Sequence, residues 1–220
     1  MPMNNVNIGS VNSALLLVDL QNDFCIGGAL AVNESDAVIE TANKAIALCQ
    51  QQNIPVIASQ DWHPANHLSF AVNSGTNIGE MGKLNGIPQV WWPVHCVQGE
   101  IGAEFHPKLN KEAICEVFTK GENPQVDSYS AFFDNDKVSQ TRLHEWLQQQ
   151  QITQLFIMGI ATDYCVKYTV LDALKLGYNV DVLIDGCRGV NLSPMDSDLA
   201  LAEMSQHGAT LLTIESLTLP

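Results

Sequence analysis

Positive charge is scarce in this 220-residue chain: ten Lys and Arg stand against 24 Asp and Glu, a formal charge of −14. Such a surface repels phosphate backbones and anionic lipid, which argues against nucleic acid or a membrane surface as partner. No apolar run approaches the ~18 residues of a membrane span. The opening stretch, MPMNNVNIGSVNS, lacks the basic and apolar segments of a secretory signal. There is no C-x-x-C pair and no dense cysteine framework. The six cysteines (25, 49, 96, 115, 165 and 187) therefore read as reduced thiols of a cytoplasmic protein. No G-x-S-x-G elbow occurs, which argues against a serine hydrolase. No repeat, low-complexity tract or linker divides the chain. A single domain over residues 1–220 is expected, since this length suits one core better than two.

What is present is an alternation of strand and helix patterns. SALLLVD (13–19), IPVIASQ (54–60), AICEVFT (113–119), QLFIMG (154–159), NVDVLI (179–184) and ATLLTI (209–214) read as strands. Helical spacing marks 34–52, 137–151, the segment after Cys165 and a stretch around 195–207. Residues 62–112 have weak periodicity and read as loops and short pieces; 70–90 reads as a loop shaping a pocket entrance. Strands apolar on both faces, separated by helices, predict an α/β fold: a mostly parallel sheet flanked by helices on both faces, a Rossmann-like three-layer sandwich.

In such sheets ligands bind beyond the carboxyl ends of the strands. Strand one ends at Asp19, the second runs into Asp61 and His63, the third into Lys120, and the fourth into the loop carrying Cys165. Each alone has a structural explanation, as a turn cap or a solvated charge; four at one edge point to a site. Cys165 opens a helix, where free N–H groups and the dipole favour thiolate, and a nearby lysine adds to this. Cys96 is the rival nucleophile because it follows His95, but adjacent residues rarely face each other. The backbone N–H of Cys165 and those of the GIAT turn before it are candidate oxyanion donors. Asp61-x-His63, with His67 and His95, is a donor set suited to a first-row metal. Loop histidines are more often merely solvated, so the spacing leaves the metal open.

The blocks VDLQNDF (18–24), SQDWHPANH (59–67), WPVHCVQG (92–99), FTKG (118–121) and GIATDYCVKYT (159–169) resemble those of nicotinamidases, within the isochorismatase-like cysteine hydrolases. They occur in the family's order over most of the chain. The resemblance implies a catalytic triad of Asp19, Lys120 and Cys165, and metal ligands Asp61, His63 and His95 holding zinc, iron or manganese. It implies a lesser part at the metal for His67 and Ser69, and a pyridine pocket walled by Phe24, Trp92 and Tyr129. Ala161, after a cis peptide from Ile160, would share the oxyanion hole with Cys165. The implied reaction is hydrolysis of nicotinamide to nicotinate and ammonia in NAD salvage, with pyrazinamide as a second substrate, by a monomer or homo-oligomer. The alternatives are a hydrolase of another small carboxamide, or a non-catalytic metal-binding protein on the same fold.

Overall fold

The computed structural model describes residues 6–7 and 12–218. Its strands are β1 (Val6–Asn7), β2 (Ser13–Val18), β3 (Val56–Asp61), β4 (Met81–Leu84), β5 (Ile87–Val90), β6 (Ile114–Lys120), β7 (Gln154–Ile160), β8 (Asn179–Arg188), β9 (Thr210–Leu212) and β10 (Leu217–Thr218). Its α-helices are α1 (Ser35–Gln51), α2 (Ala71–Ser74), α3 (Leu143–Gln149), α4 (Lys167–Lys175) and α5 (Asp196–Gln206).

Six strands make one parallel sheet in the order β6-β3-β2-β7-β8-β9. Numbered by their own sequence this is 3-2-1-4-5-6, the doubly wound order. The sheet grows outward from β2 to β6, then resumes on the other side of β2 with β7. Crossovers run in two directions from β2, and the right-handed rule for such connections puts α1 and α4 on opposite faces. A crevice opens where the direction reverses, beyond the carboxyl ends of β2 and β7.

The two central strands explain their apolar sequences. Every residue of β2 is buried, and every residue of β7 after Gln154. Leu15, Leu16 and Leu17 are wholly inaccessible, and each stabilises the fold by roughly 1.5–3 kcal/mol through leaving water. Helix α1 lays Val38, Ile39, Ala42, Ala45, Ile46 and Cys49 against the sheet, one stripe at helical spacing. It ends where Asn53 takes a left-handed φ of 54°, a conformation asparagine tolerates better than most residues.

The strand expected over 209–214 is only Thr210–Leu212, the β1–β10 pair is additional, and three further elements differ from the sequence expectation. The helix expected over 137–151 is only Leu143–Gln149. Upstream, Lys137 is left-handed and the Asp136 carboxylate accepts the Val138 N–H, so local turn bonds replace the first helical turns. Strand β8 continues to Arg188, past the apolar run, with a register shift against β7. Within 70–90, β4 and β5 form an antiparallel hairpin closed by Asn85-Gly86, both with positive φ. That dipeptide is a strong hairpin signal that weak periodicity obscured.

Candidate active site

Four strand ends do converge. Asp19 lies just past β2 with a left-handed φ of 49°, Asp61 and Lys120 are the last residues of β3 and β6, and Cys165 lies five residues past β7. All four are buried. Lys120 Nζ lies 3.0 Å from Asp19 Oδ2, 2.8 Å from the Ser128 carbonyl and 3.5 Å from Cys165 Sγ, and it ion-pairs with Asp61 Oδ1. The Asp19 contact lacks hydrogen-bond geometry, so it is an ion pair only. Asp19 Oδ1 instead accepts the Ser59 hydroxyl at 2.6 Å.

The charges follow from burial and company. Burial alone would strip Lys120 of its proton, but Asp19 and Asp61 hold its pKa well above the usual lysine value. Burial would raise Asp61, but Lys120 and then His63 drive it well below the carboxylate range. At Asp19 burial wins over Lys120, and the pKa rises. Burial also raises Cys165, with Lys120 opposing. Desolvation thus works against the thiolate expected from helix position and favours the protonated sulfur.

The turn that presents Cys165 begins at Gly159, with φ 139°. A Cβ there would collide with the Val18 backbone of β2, so glycine lets the two central strands close up directly beneath Asp19. The Ile160–Ala161 bond is cis. Residues Thr162–Val166 then form one wide π-type turn, in which the Ala161 carbonyl accepts the Val166 N–H five residues on. Such turns often mark functional positions.

Asp61, His63 and His95 each bring a donor atom within 4.8 Å of the others. His63 Nδ1 donates to the Gly121 carbonyl and His95 Nδ1 to the Pro93 carbonyl, each at 2.8 Å. Both rings therefore turn Nε2 toward Asp61 Oδ2, at 3.5 and 3.8 Å, and in the neutral ring that nitrogen is free to bind a metal. His63 Nε2 is buried without a hydrogen-bond partner. A side chain at Gly121 would strike the His63 ring, so the glycine is part of this arrangement. A carboxylate and two imidazoles locked in the right tautomer by carbonyls fit a divalent first-row metal.

His67 and Ser69 are differently placed. His67 Nδ1 accepts the Ser69 N–H at 3.1 Å and bonds the Ser69 hydroxyl at 2.7 Å, while its Nε2 faces the Val126 carbonyl at 3.3 Å. Both nitrogens are engaged, and the ring lies 4.4 Å from that of His63. Burial, then His63, pushes His67 down to about 4, so it stays neutral.

A narrow cavity of about 30 Å³ lies over the sulfur, lined by Phe24, Trp92, Tyr129, Ala161 and Cys165, with Asp61 and His95 at its side. All three expected aromatics are there, and Leu30, Tyr164 and Val190 add to the apolar wall. A slot this tight and apolar suits a small flat ring. A larger cleft of about 530 Å³ opens outside it and shares Tyr129 and Tyr164. It holds none of Asp19, Lys120 and Cys165, so size does not identify the site.

Two further residues of the site, Gln21 and Asp127, carry no mark of their role in the sequence alone. The Gln21 side-chain amide donates to the Asp61 carbonyl and accepts the Asp61 N–H, both at 2.8 Å. The buried Asp127 carboxylate lines the slot within reach of His63 and His67, held by Gln89 Nε2 at 2.7 Å. Gln21 sat in a conspicuous block whose partner, 40 residues away, no spacing reveals. Asp127 was one acid among 24.

The isochorismatase domain model matches residues 13–216. The chain belongs to the isochorismatase family. Within it, the sequence is 60% identical over 201 residues to the nicotinamidase of Escherichia coli (strain K12), covering 91% of this chain and 94% of that one. A protein from L. infantum solved in complex with nicotinate superposes with a TM-score of 0.84, at 33% identity, over 98% of this chain and 100% of its own. A pyrazinamidase of Pyrococcus horikoshii in complex with zinc gives 0.76, at 35% identity, over 92% and 99%. The six-stranded parallel sheet expected from sequence is the fold of these proteins. Among the described residues, no helix is long and apolar enough to cross a membrane.

Proposed function

We propose that the protein hydrolyses nicotinamide to nicotinate and ammonia through a thioester on Cys165, and accepts pyrazinamide in the same slot. The observation that supports this reading is the buried sulfur of Cys165, 3.5 Å from Lys120 Nζ beside Asp19, at the floor of a narrow aromatic slot. Asp19 takes the thiol proton. Both groups are raised by burial, so the transfer moves one negative charge between two dry positions that face the same ammonium. Lys120 stabilises either one.

The sulfur then attacks the carboxamide carbon, and the N–H groups of Ala161 and Cys165 receive the oxyanion. Asp19 returns its proton to the nitrogen as the C–N bond breaks, and ammonia leaves. Water, with Asp19 again as base, cleaves the thioester and restores the thiol. Asp61, His63 and His95 would hold a divalent cation (zinc, iron or manganese), which would supply Lewis acidity beside the slot. His67 and Ser69 support His63 from outside that set. The whole chain acts as one hydrolase domain, and six free cysteines suit a reducing cytoplasm.

The test is ammonia and nicotinate release from nicotinamide by metal-loaded protein, beside aliphatic amides and ureido compounds. Nicotinamide should be preferred and a chelator should suppress turnover. No ammonia from nicotinamide, with turnover of another amide, would move the reading to that substrate.

A further inference from the structure

Asp163 sits two residues before Cys165, and its carboxylate is buried. Its Oδ1 accepts the Val190 N–H at 2.9 Å and its Oδ2 the Asn191 N–H at 2.7 Å. These two successive amides belong to the loop that follows β8, the neighbour of β7 in the sheet. Val190 packs against the cluster of Val90, Trp92 and Tyr129 and lines the slot over the sulfur. The Asn191 side-chain oxygen in turn accepts the Ser197 N–H at 3.0 Å and its hydroxyl at 2.8 Å, which fixes the first turn of α5. One carboxylate therefore ties the cysteine turn to the far wall of the slot, and through Asn191 to a helix.

The residue type matters. Two parallel N–H groups need two acceptor atoms, and a buried carboxylate is stabilised by both at once. An asparagine offers one oxygen and turns a donor toward the second N–H. Sterically the two side chains are near equal, so the exchange removes the clamp and little else.

We propose that Asp163 is a positioning residue that holds Val190 at a fixed distance across the slot from Cys165, and that Val190 sets the ring size admitted. The nicotinamide reading supplies the substrate in this proposal, while the clamp itself is open to a measurement that needs no substrate. In Asp163→Asn, the Val190 and Asn191 amides should exchange hydrogen at least about 10-fold faster than in the wild-type chain, once two charge-assisted bonds are broken. The KM for nicotinamide should rise about 10-fold with kcat kept within about threefold, the signature of lost binding rather than lost chemistry. Val190→Ala should raise the ratio of kcat/KM for a ring-methylated nicotinamide over nicotinamide by about 10-fold, as expected for one extra methyl group admitted to an apolar pocket. A wild-type chain inactive on nicotinamide would sink the function proposed above, yet the exchange rates would still judge the clamp. Unchanged exchange at residues 190 and 191 overturns the positioning role. A fall in kcat at constant KM overturns it too, since Asp163 would then be acting on Cys165. If Asp163→Asn does not fold, an unchanged methyl ratio in Val190→Ala removes the specificity half on its own.

Discussion

Asp61 and Lys120 stand opposite each other as the last residues of adjacent parallel strands, and their side chains close a buried ion pair at the sheet edge. The same ammonium lies 3.0 Å from Asp19 Oδ2. One cation thus joins Asp61, of the proposed metal-ligand set, to Asp19, the proposed base beside the thiol. Burial acts to raise the pKa of both carboxylates, and Lys120 is the largest opposing influence at each.

Replacing Lys120 with Met keeps the volume and removes the charge. Two uncompensated carboxylates should cost about 3–5 kcal/mol of stability, by analogy with other broken buried pairs. For a chain of this size that is a fall in Tm of roughly 10 °C. Turnover should drop below detection. In the variant both carboxylates have folded pKa values above their unfolded ones, so the folded state binds more protons and the deficit shrinks as pH falls. Thermal scans across pH check both the size and the sign; an unchanged Tm would show that the ion pair contributes nothing net.

Cys165→Ala tests the nucleophile apart from the slot. The loss of turnover should be at least about 10⁴-fold, since no alternative thiol shares the position. Metal content and nicotinate affinity should persist, because the sulfur belongs to neither the donor set nor the aromatic wall's main area. Calorimetric titration with nicotinate measures the second point. Residual turnover above a few per cent would return Cys96 or an activated water to consideration.

Much of this arrangement is legible in sequence, and what is not has a physical reason. The order of strands, the polar residues that end them and the Asp61-x-His63 pair are local, and local patterns survive in one dimension. The switch point between β2 and β7 is topological, and no window of residues records which side of β2 a later strand joins. The protonation of Cys165 is a third case: its position at a helix start argues for thiolate, and only its depth in the fold, set by distant residues, reverses the sign. Gln21 and Asp127 act on partners far along the chain, so their side chains carry no local mark.

The acid limb of kcat/KM should follow Asp19, which must be unprotonated to take the thiol proton. Its pKa is raised by burial, so activity is lost, as pH falls, earlier than for an ordinary aspartate. The Ser59 hydroxyl, 2.6 Å from Oδ1, favours the charged form. Ser59→Ala removes that donor and should move the limb to still higher pH while leaving the plateau near its wild-type height. A limb that stays put would assign it to a group other than Asp19.

Gln21 gives the most demanding test of how the proposed metal ligands are held. Strand β2 pairs with β3 through Val18 and Ser59, and then the chain turns away at Asp19, so the Asp61 backbone has no strand on that side. The Gln21 amide takes the strand's place, bonding both the N–H and the carbonyl of Asp61 and reaching the Ala103 carbonyl at 2.9 Å. Gln21→Leu keeps most of the volume and leaves those buried backbone groups unpaired, at a cost of about 1–3 kcal/mol for each unsatisfied group. The Asp61 carboxylate then loses its fixed aim at His63 and His95. Outer-shell substitutions of this kind typically weaken metal binding by about 10–100-fold. Titration of apoprotein with zinc should show that loss in Gln21→Leu, with nicotinamide turnover recovering as zinc is raised. A variant that binds zinc as the wild type does, yet melts lower, would confine Gln21 to the fold.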